Sequence, residues 1–270
     1  MSEGCQSLTT FAIRSFGQGD ETMLVVNGGP GLSNSYMLPG FAFLADRYKC
    51  VFYDQPGCGN DHTDPRTVTA DSTADHFVDL LIDLSSGRKV ILLTHSWGSH
   101  VLFRGMSRHP DISKLIAKAI LLNPTPTNSD HYTRVGSALQ ARVAPHDLTA
   151  IGDLMKSAKI SAGNEIMQIA LPAYTGSTRR LPVLDFDYSL AVFNSVNATI
   201  GNFDFANLTG RSPFDIYVVG GADDYIKPTN LDAILSAARE SAFINDAGHF
   251  VFAEAPEQFQ KTLMRFLSHT

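Results

Sequence analysis

The sequence predicts an α/β fold: a mostly parallel sheet covered by helices on both faces, with a helical insertion in its second half. Three observations predict it. Short, largely apolar runs recur along the chain: Thr22–Val26, Cys50–Tyr53, Val90–Leu93, Lys118–Asn123 and Phe214–Val219. Four or more such residues without a polar break read as strands buried on both faces. Stretches with helical spacing separate them, and strands alternating with helices imply a parallel sheet. Loops bearing Gly, Asp, Ser and His begin at the carboxyl ends of these strands, which is where sites in such sheets lie.

Composition narrows the classes. The chain has 270 residues, 44% hydrophobic and 18% charged, which is ordinary for a globular protein. A single α/β core of this size is routine. The formal net charge is -6, so nucleic acid and anionic membrane surfaces, which attract basic patches, are not the expected partners. The Arg179-Arg180 pair reads as a solvated loop. No apolar stretch approaches the roughly 20 residues of a membrane span, and the acidic start Met1–Cys5 has no signal-peptide character. The three cysteines, Cys5, Cys50 and Cys58, fit no metal motif. Their odd number suits a reduced, cytoplasmic setting.

Taken in order, Phe11–Phe16 alternates weakly and reads as an edge strand, followed by a turn at Gly17–Asp20. The strand Thr22–Val26 runs into Asn27-Gly28-Gly29-Pro30-Gly31, a loop able to expose backbone N–H groups. Phe41–Tyr48 reads as a short helix. The strand Cys50–Tyr53 ends in Asp54-Gln55-Pro56-Gly57-Cys58-Gly59, where Asp54 is expected to order the loop by accepting backbone N–H bonds. Ser72–Asp75 has capping-box character, and the helix it opens carries Phe77, Leu80, Leu81 and Leu84 on one face.

The next strand leads to Thr94-His95-Ser96-Trp97-Gly98-Ser99, and a helix to Arg108 follows. Strand, sharp turn and helix with Ser at the apex form a nucleophile elbow, whose flanking positions must be small. Gly98 satisfies this, whereas Thr94 crowds the turn. After the strand Lys118–Asn123 no clear core strand appears until Phe214. Helices are expected at 137–143, 148–159, 164–171 and 187–199, so residues 124–210 read as a lid inserted into a core of 1–123 and 211–270. The sheet resumes with Phe214–Val219, then Gly221-Ala222-Asp223-Asp224. A helix over Pro228–Ala238, a last strand Ser241–Asn245, the turn Gly248-His249 and a helix from Pro256 complete the chain.

A Ser hydroxyl needs a base, and the base needs an orienting acid. His249, in a Gly-His turn after the last strand, is the candidate base. His95 adjoins Ser96, so its side chain should leave the strand end on the opposite side; the remaining histidines fall in helices, loops or the tail. The acid should follow an earlier strand and precede the His. Asp223 and Asp224 both qualify, with Asp224 preferred because the turn from Gly221 can aim it inward. The backbone N–H groups of Gly29 and Trp97 are the expected oxyanion donors. The Trp97 indole either lines the pocket or fills the core.

With these loops assembled, the sequence resembles the α/β-hydrolase fold, and within it the proline iminopeptidase group of serine aminopeptidases. Asn27–Gly31 is similar to that group's His-Gly-Gly-Pro-Gly, Asp54–Gly59 to its Asp-Gln loop, and Ser96–Ser99 to its nucleophile segment. Gly221–Pro228 and Gly248-His249 match the acid and base loops. The likeness spans roughly residues 22–123 and 214–267 and leaves out the lid. Asn27, Thr94 and Asn60-Asp61 depart from the group's usual His, Gly and Arg-Ser. The resemblance implies cleavage of an N-terminal residue whose ammonium is held by lid carboxylates. Glu165 is the only Glu between Glu21 and Glu240 and is the first candidate, with Asp153, Asp185, Asp187 and Asp204 as substitutes. Gly28 is a further candidate for substrate contact.

The expectation is therefore a serine hydrolase forming an acyl-enzyme on a small amide or short peptide, with no metal or organic cofactor. An esterase, thioesterase, lactonase, acyl-transfer or cyclising enzyme would use the same residues. A lyase and a non-catalytic binding module on this fold remain as further alternatives.

Overall fold

The computed structural model describes residues 11–157, 159, 161–176 and 182–269. Met1–Cys5 and the Arg179-Arg180 pair therefore lie outside the described residues.

Strands β1 (Ile13–Phe16), β2 (Glu21–Val26) and β3 (Tyr48–Tyr53) open the chain, with a short helix α1 (Leu38–Phe41) between the last two. Helix α2 (Ala70–Leu84) leads to β4 (Val90–His95), α3 (Trp97–Arg108) and β5 (Ile116–Leu122). Among the described residues, five helices follow before the next strand: α4 (Ser129–Gln140), α5 (Pro145–Lys156), α6 (Ala162–Tyr174), α7 (Leu190–Thr199) and α8 (Ala206–Thr209). The chain closes with β6 (Asp215–Gly221), α9 (Asp232–Ala237), β7 (Ala238–Ile244), α10 (Val251–Glu254) and α11 (Pro256–Ser268).

The seven strands form one sheet in the order β1-β3-β2-β4-β5-β6-β7. Among the described strands only β1 runs antiparallel, at the edge beside β3. Residues alternate between the two faces, and each face has its own core. Leu24, Val26 and Leu92 pack with Phe77, Leu81 and Val101 on one side. Met23, Val25, Ile91 and Leu93 pack with Phe41, Phe259 and Phe266 on the other. That two-sided burial is why the strands read as unbroken apolar runs, and each such Leu, Ile or Val contributes about 1.5–3 kcal/mol.

From β2 the chain crosses to β3 on one side, and from β4 it crosses to β5 on the other. The loops after β2 and β4 therefore diverge, leaving a crevice at their carboxyl ends.

Local starts differ from the sequence reading where capping decides them. Helix α2 begins at Ala70 because extended Thr69 caps it: Ser72 donates its N–H to Thr69 Oγ1, and Thr69 donates its N–H to Ser72 Oγ. The expected box over Ser72–Asp75 is thus one turn late. Pro39 starts α1 early, a 3₁₀ turn Ala42–Leu44 follows, and Tyr48 already belongs to β3. Asn128 caps α4 by accepting the His131 N–H, so that helix starts well before residue 137.

Candidate active site

The turn at Ser96 is built by its neighbours. β4 delivers Ser96 with φ 51° and ψ -118°, a conformation L-residues rarely adopt, and α3 begins at the next residue. The Ser96 N–H donates to the Leu122 carbonyl at 2.9 Å. Gly98 lies so close to β2 that a Cβ there would sit 2.4 Å from the Val26 carbonyl oxygen. Thr94 is fully buried, and among the described residues its hydroxyl has no hydrogen-bond partner.

Three side chains from distant loops meet here. Ser96 Oγ lies 2.9 Å from His249 Nε2. His249 Nδ1 lies 2.9 Å from Asp224 Oδ2 and 3.1 Å from Oδ1. An ionised carboxylate only accepts, so Nδ1 carries the proton and the Nε2 lone pair faces the Ser96 hydroxyl. Asp224 is buried, and its Oδ2 also accepts from Asn123 Nδ2 at 2.7 Å. The Asp223 N–H donates to the Ala247 carbonyl, and Arg142 donates to the carbonyls of Asp223 and Asp224.

The glycine loop is held from beneath. Gly28 donates its N–H to the Tyr36 hydroxyl oxygen at 2.7 Å. Tyr36 Oη and His95 Nδ1 are 2.7 Å apart, and His95 Nε2 lies 2.9 Å from the His249 carbonyl. Burial pushes the His95 imidazole down to about 3, and the neighbouring His249 adds to this. A neutral ring that donates from Nε2 must accept at Nδ1, so every proton in the chain from Gly28 to His249 is placed. Contrary to the expectation from its sequence position, His95 stays at the site: it packs against His249 with ring centroids 5.0 Å apart. Trp97 fills the core, donating its indole N–H to Gln55 Oε1. As the first residue of α3, its backbone N–H has no acceptor within the helix. Asp54 orders its loop by accepting from the Asn34 and Asn60 N–H groups. Cys50 and Cys58 are buried free thiols, and burial pushes both pKa values up.

A cavity of about 60 Å³ opens onto Ser96 and His249, with Gly28 and Gly29 on its floor. Met167, Tyr174, Tyr188 and Phe193, all from the stretch between β5 and β6, wall it together with Leu32, Tyr225 and Phe250. That stretch is tied to both loops: Ser189 donates its N–H to the Gly31 carbonyl, and His249 donates its N–H to the Tyr174 carbonyl. Glu165 is not on this cavity. Its carboxylate bonds Lys159 and Ser161 on the exposed side of α6, while Met167, Ala170 and Leu171 turn inward. Asp153, Asp185, Asp187 and Asp204 do not line the cavity either. A wider groove of about 660 Å³ at the start of α4, lined by Asn128, Asp130, His131 and Arg134, contains none of Ser96, Asp224 and His249. Among the described residues no group of three or more His, Cys, Asp or Glu could hold a metal ion, and no helix is long and apolar enough to cross a membrane.

Sequence reasoning missed Asn123, Tyr36 and the role of His95. Asn123 did carry a signal, a polar side chain ending a buried strand; Tyr36 carried none.

A doubly covered parallel sheet, with reactive groups gathered where its strand order reverses, is an α/β enzyme fold of the hydrolase type. The chain belongs to the Alpha/beta hydrolase family, whose model matches residues 23–261. It is 23% identical over 261 residues to a putative carbamate hydrolase, RutD, of Rhizobium rhizogenes, covering 95% of this chain and 97% of that one. A proline iminopeptidase of Saccharolobus solfataricus is 35% identical over 83 residues, 29% of this chain and 26% of the relative. Among solved structures, the esterase RhEst1 from a Rhodococcus species superposes with a TM-score of 0.68 at 18% identity, covering 95% of this chain and 94% of that one.

Proposed function

We propose that this protein is a serine hydrolase that works through an acyl-enzyme on Ser96. The observation that carries the reading is the unbroken hydrogen-bonded chain of Ser96, His249 and Asp224, at 2.9 Å for each link. Ser96 Oγ attacks the substrate carbonyl as His249 Nε2 takes its proton. Asp224 holds the imidazole tautomer and stabilises the imidazolium that forms. The backbone N–H groups of Gly29 and Trp97 receive the developing oxyanion. His249 then hands the proton to the leaving group, and water repeats the sequence on the acyl-enzyme. In this reading residues 124–210 act as a lid over a core of 1–123 and 211–270.

Replacing Ser96 by Ala is expected to abolish labelling by a fluorophosphonate probe and to lower turnover on the order of 10⁶-fold, with an unchanged thermal melt. Persistent labelling would overturn the assignment.

The nature of the scissile bond rests on the cavity. Cleavage of an N-terminal residue draws support from the short proline iminopeptidase match. It also needs a carboxylate to hold the substrate ammonium, and the described residues lining the cavity include none. That observation favours a carboxylic ester, thioester, lactone or carbamate over an aminoacyl amide. A panel of p-nitrophenyl esters, carbamates and lactones against aminoacyl-arylamides separates them. Turnover of the arylamides alone would restore the peptidase reading.

A further inference from the structure

We propose that the site accepts a short, uncharged acyl group, acetyl to propionyl in size, and that Met167 and Phe193 set this limit. The proposal rests on the reading of Ser96 as nucleophile and adds the chemical class of the acyl group.

Size comes first. The cavity beside Ser96 measures about 60 Å³, well under the ~150 Å³ of a cavity that takes up benzene. Beyond the reacting carbonyl, so small a space favours a methyl or ethyl group over a longer chain. Among the walls, Met167 belongs to α6 and is buried, and Phe193 belongs to α7. Both come from the helical stretch rather than from the strands, and Met167 is part of the buried cluster on one face of the sheet. Leu32, by contrast, is bridged to Tyr188 through its backbone.

Charge comes second. Among the described residues, the side chains lining the cavity include no Asp, Glu, Lys or Arg. An ammonium or carboxylate on the acyl group would lose its hydration without gaining a counter-charge. The phenols of Tyr174, Tyr188 and Tyr225 line the same space. Burial pushes all three pKa values up, so they remain hydroxyl donors. Such a lining suits an uncharged acyl group, with or without a hydrogen-bond acceptor.

The test is a chain-length series of p-nitrophenyl esters on the intact protein, with fluorophosphonate labelling of Ser96 followed in parallel. The acetate or propionate is expected to exceed the hexanoate in kcat/KM by about tenfold or more, and the acetate to exceed the glycinate by a similar factor. Met167→Ala is expected to raise the hexanoate-to-acetate ratio by about tenfold or more. If that variant does not fold, Phe193→Ala carries the same measurement. Preference for hexanoate or glycinate in the unaltered protein overturns the proposal, and so does an unchanged ratio in a folded variant. Labelling that persists alongside such a result leaves the acyl-enzyme reading standing. Loss of all labelling in the unaltered protein sinks both.

Discussion

Asn123 holds the acid loop and the base loop together. It stands at the end of β5 with φ 44°, and its amide donates to Asp224 Oδ2 at 2.7 Å and to the Gly248 carbonyl at 3.1 Å. A hydrogen bond to a charged group contributes about 1.5–3 kcal/mol. Asn123→Gly preserves the left-handed backbone and removes only the amide, so kcat/KM is expected to fall about tenfold to a hundredfold. Asn123→Ala should lose the same activity and a further ~1 kcal/mol in urea unfolding, because Ala resists that conformation. Unaltered kcat/KM in the Gly variant would show that the bond does not position Asp224. Ser96 and His249 were legible because each follows a core strand at short range, in a turn of recognisable composition. Tyr36 was not, because its partner lies 59 residues away and no local pattern announces it; Asn123 showed only a polar residue ending a buried strand, and its partner 101 residues away gave that residue no role. Glu165 was misplaced for a related reason. Residue type identified a carboxylate in the right helix, but only packing shows that it sits on the outer face.

At the scale of elements, the turn between β4 and α3 depends on how closely α3 approaches β2. A Cβ on Gly98 would meet the Val26 and Asn27 carbonyl oxygens at 2.4 and 3.0 Å. Backbone cannot yield as a flexible side chain would, so Gly98→Ala must push the start of α3 away from the glycine loop. Stability is expected to fall by about 1–3 kcal/mol. Turnover should fall with it, since Trp97 and Gly29 would move apart. Gly152 in α5 is the contrast, with nothing within 4 Å of its added Cβ. Gly152→Ala should therefore raise stability by about 0.5–1 kcal/mol. Thermal melts of the two variants check both, and a Gly98→Ala protein that melts and turns over like the parent would refute the packing argument. The core strands were readable because burial on both faces leaves an unbroken apolar run. The helices between β5 and β6 were readable only as helical. Helix α5 buries none of its residues, and α4 buries Val135 alone, so no strong stripe marks their bounds.

The sheet is covered on both sides, and the whole molecule consequently encloses histidines that must stay neutral. His95 and His100 are buried, His76 is largely so, and all three pKa values are lowered, chiefly by desolvation. For His95 the ordinary value of 6.5 applies to the unfolded chain, and about 3 applies to the folded one. Between those values the unfolded chain binds a proton that the native protein refuses, so stability rises with pH across this window and is lost as pH falls. From about pH 7.5 to about pH 5, His95 alone is expected to remove about 2 kcal/mol. His95→Gln can keep the donor to the His249 carbonyl and does not titrate. Urea unfolding of the two proteins at both pH values isolates the contribution. The difference between the two pH values should shrink by about 2 kcal/mol in the variant. An unchanged difference would mean that His95 takes up its proton within the folded protein. The hydrogen-bonded chain from His249 through His95 and Tyr36 to Gly28 would then be broken before the protein unfolds, because a protonated Nδ1 can no longer accept from Tyr36.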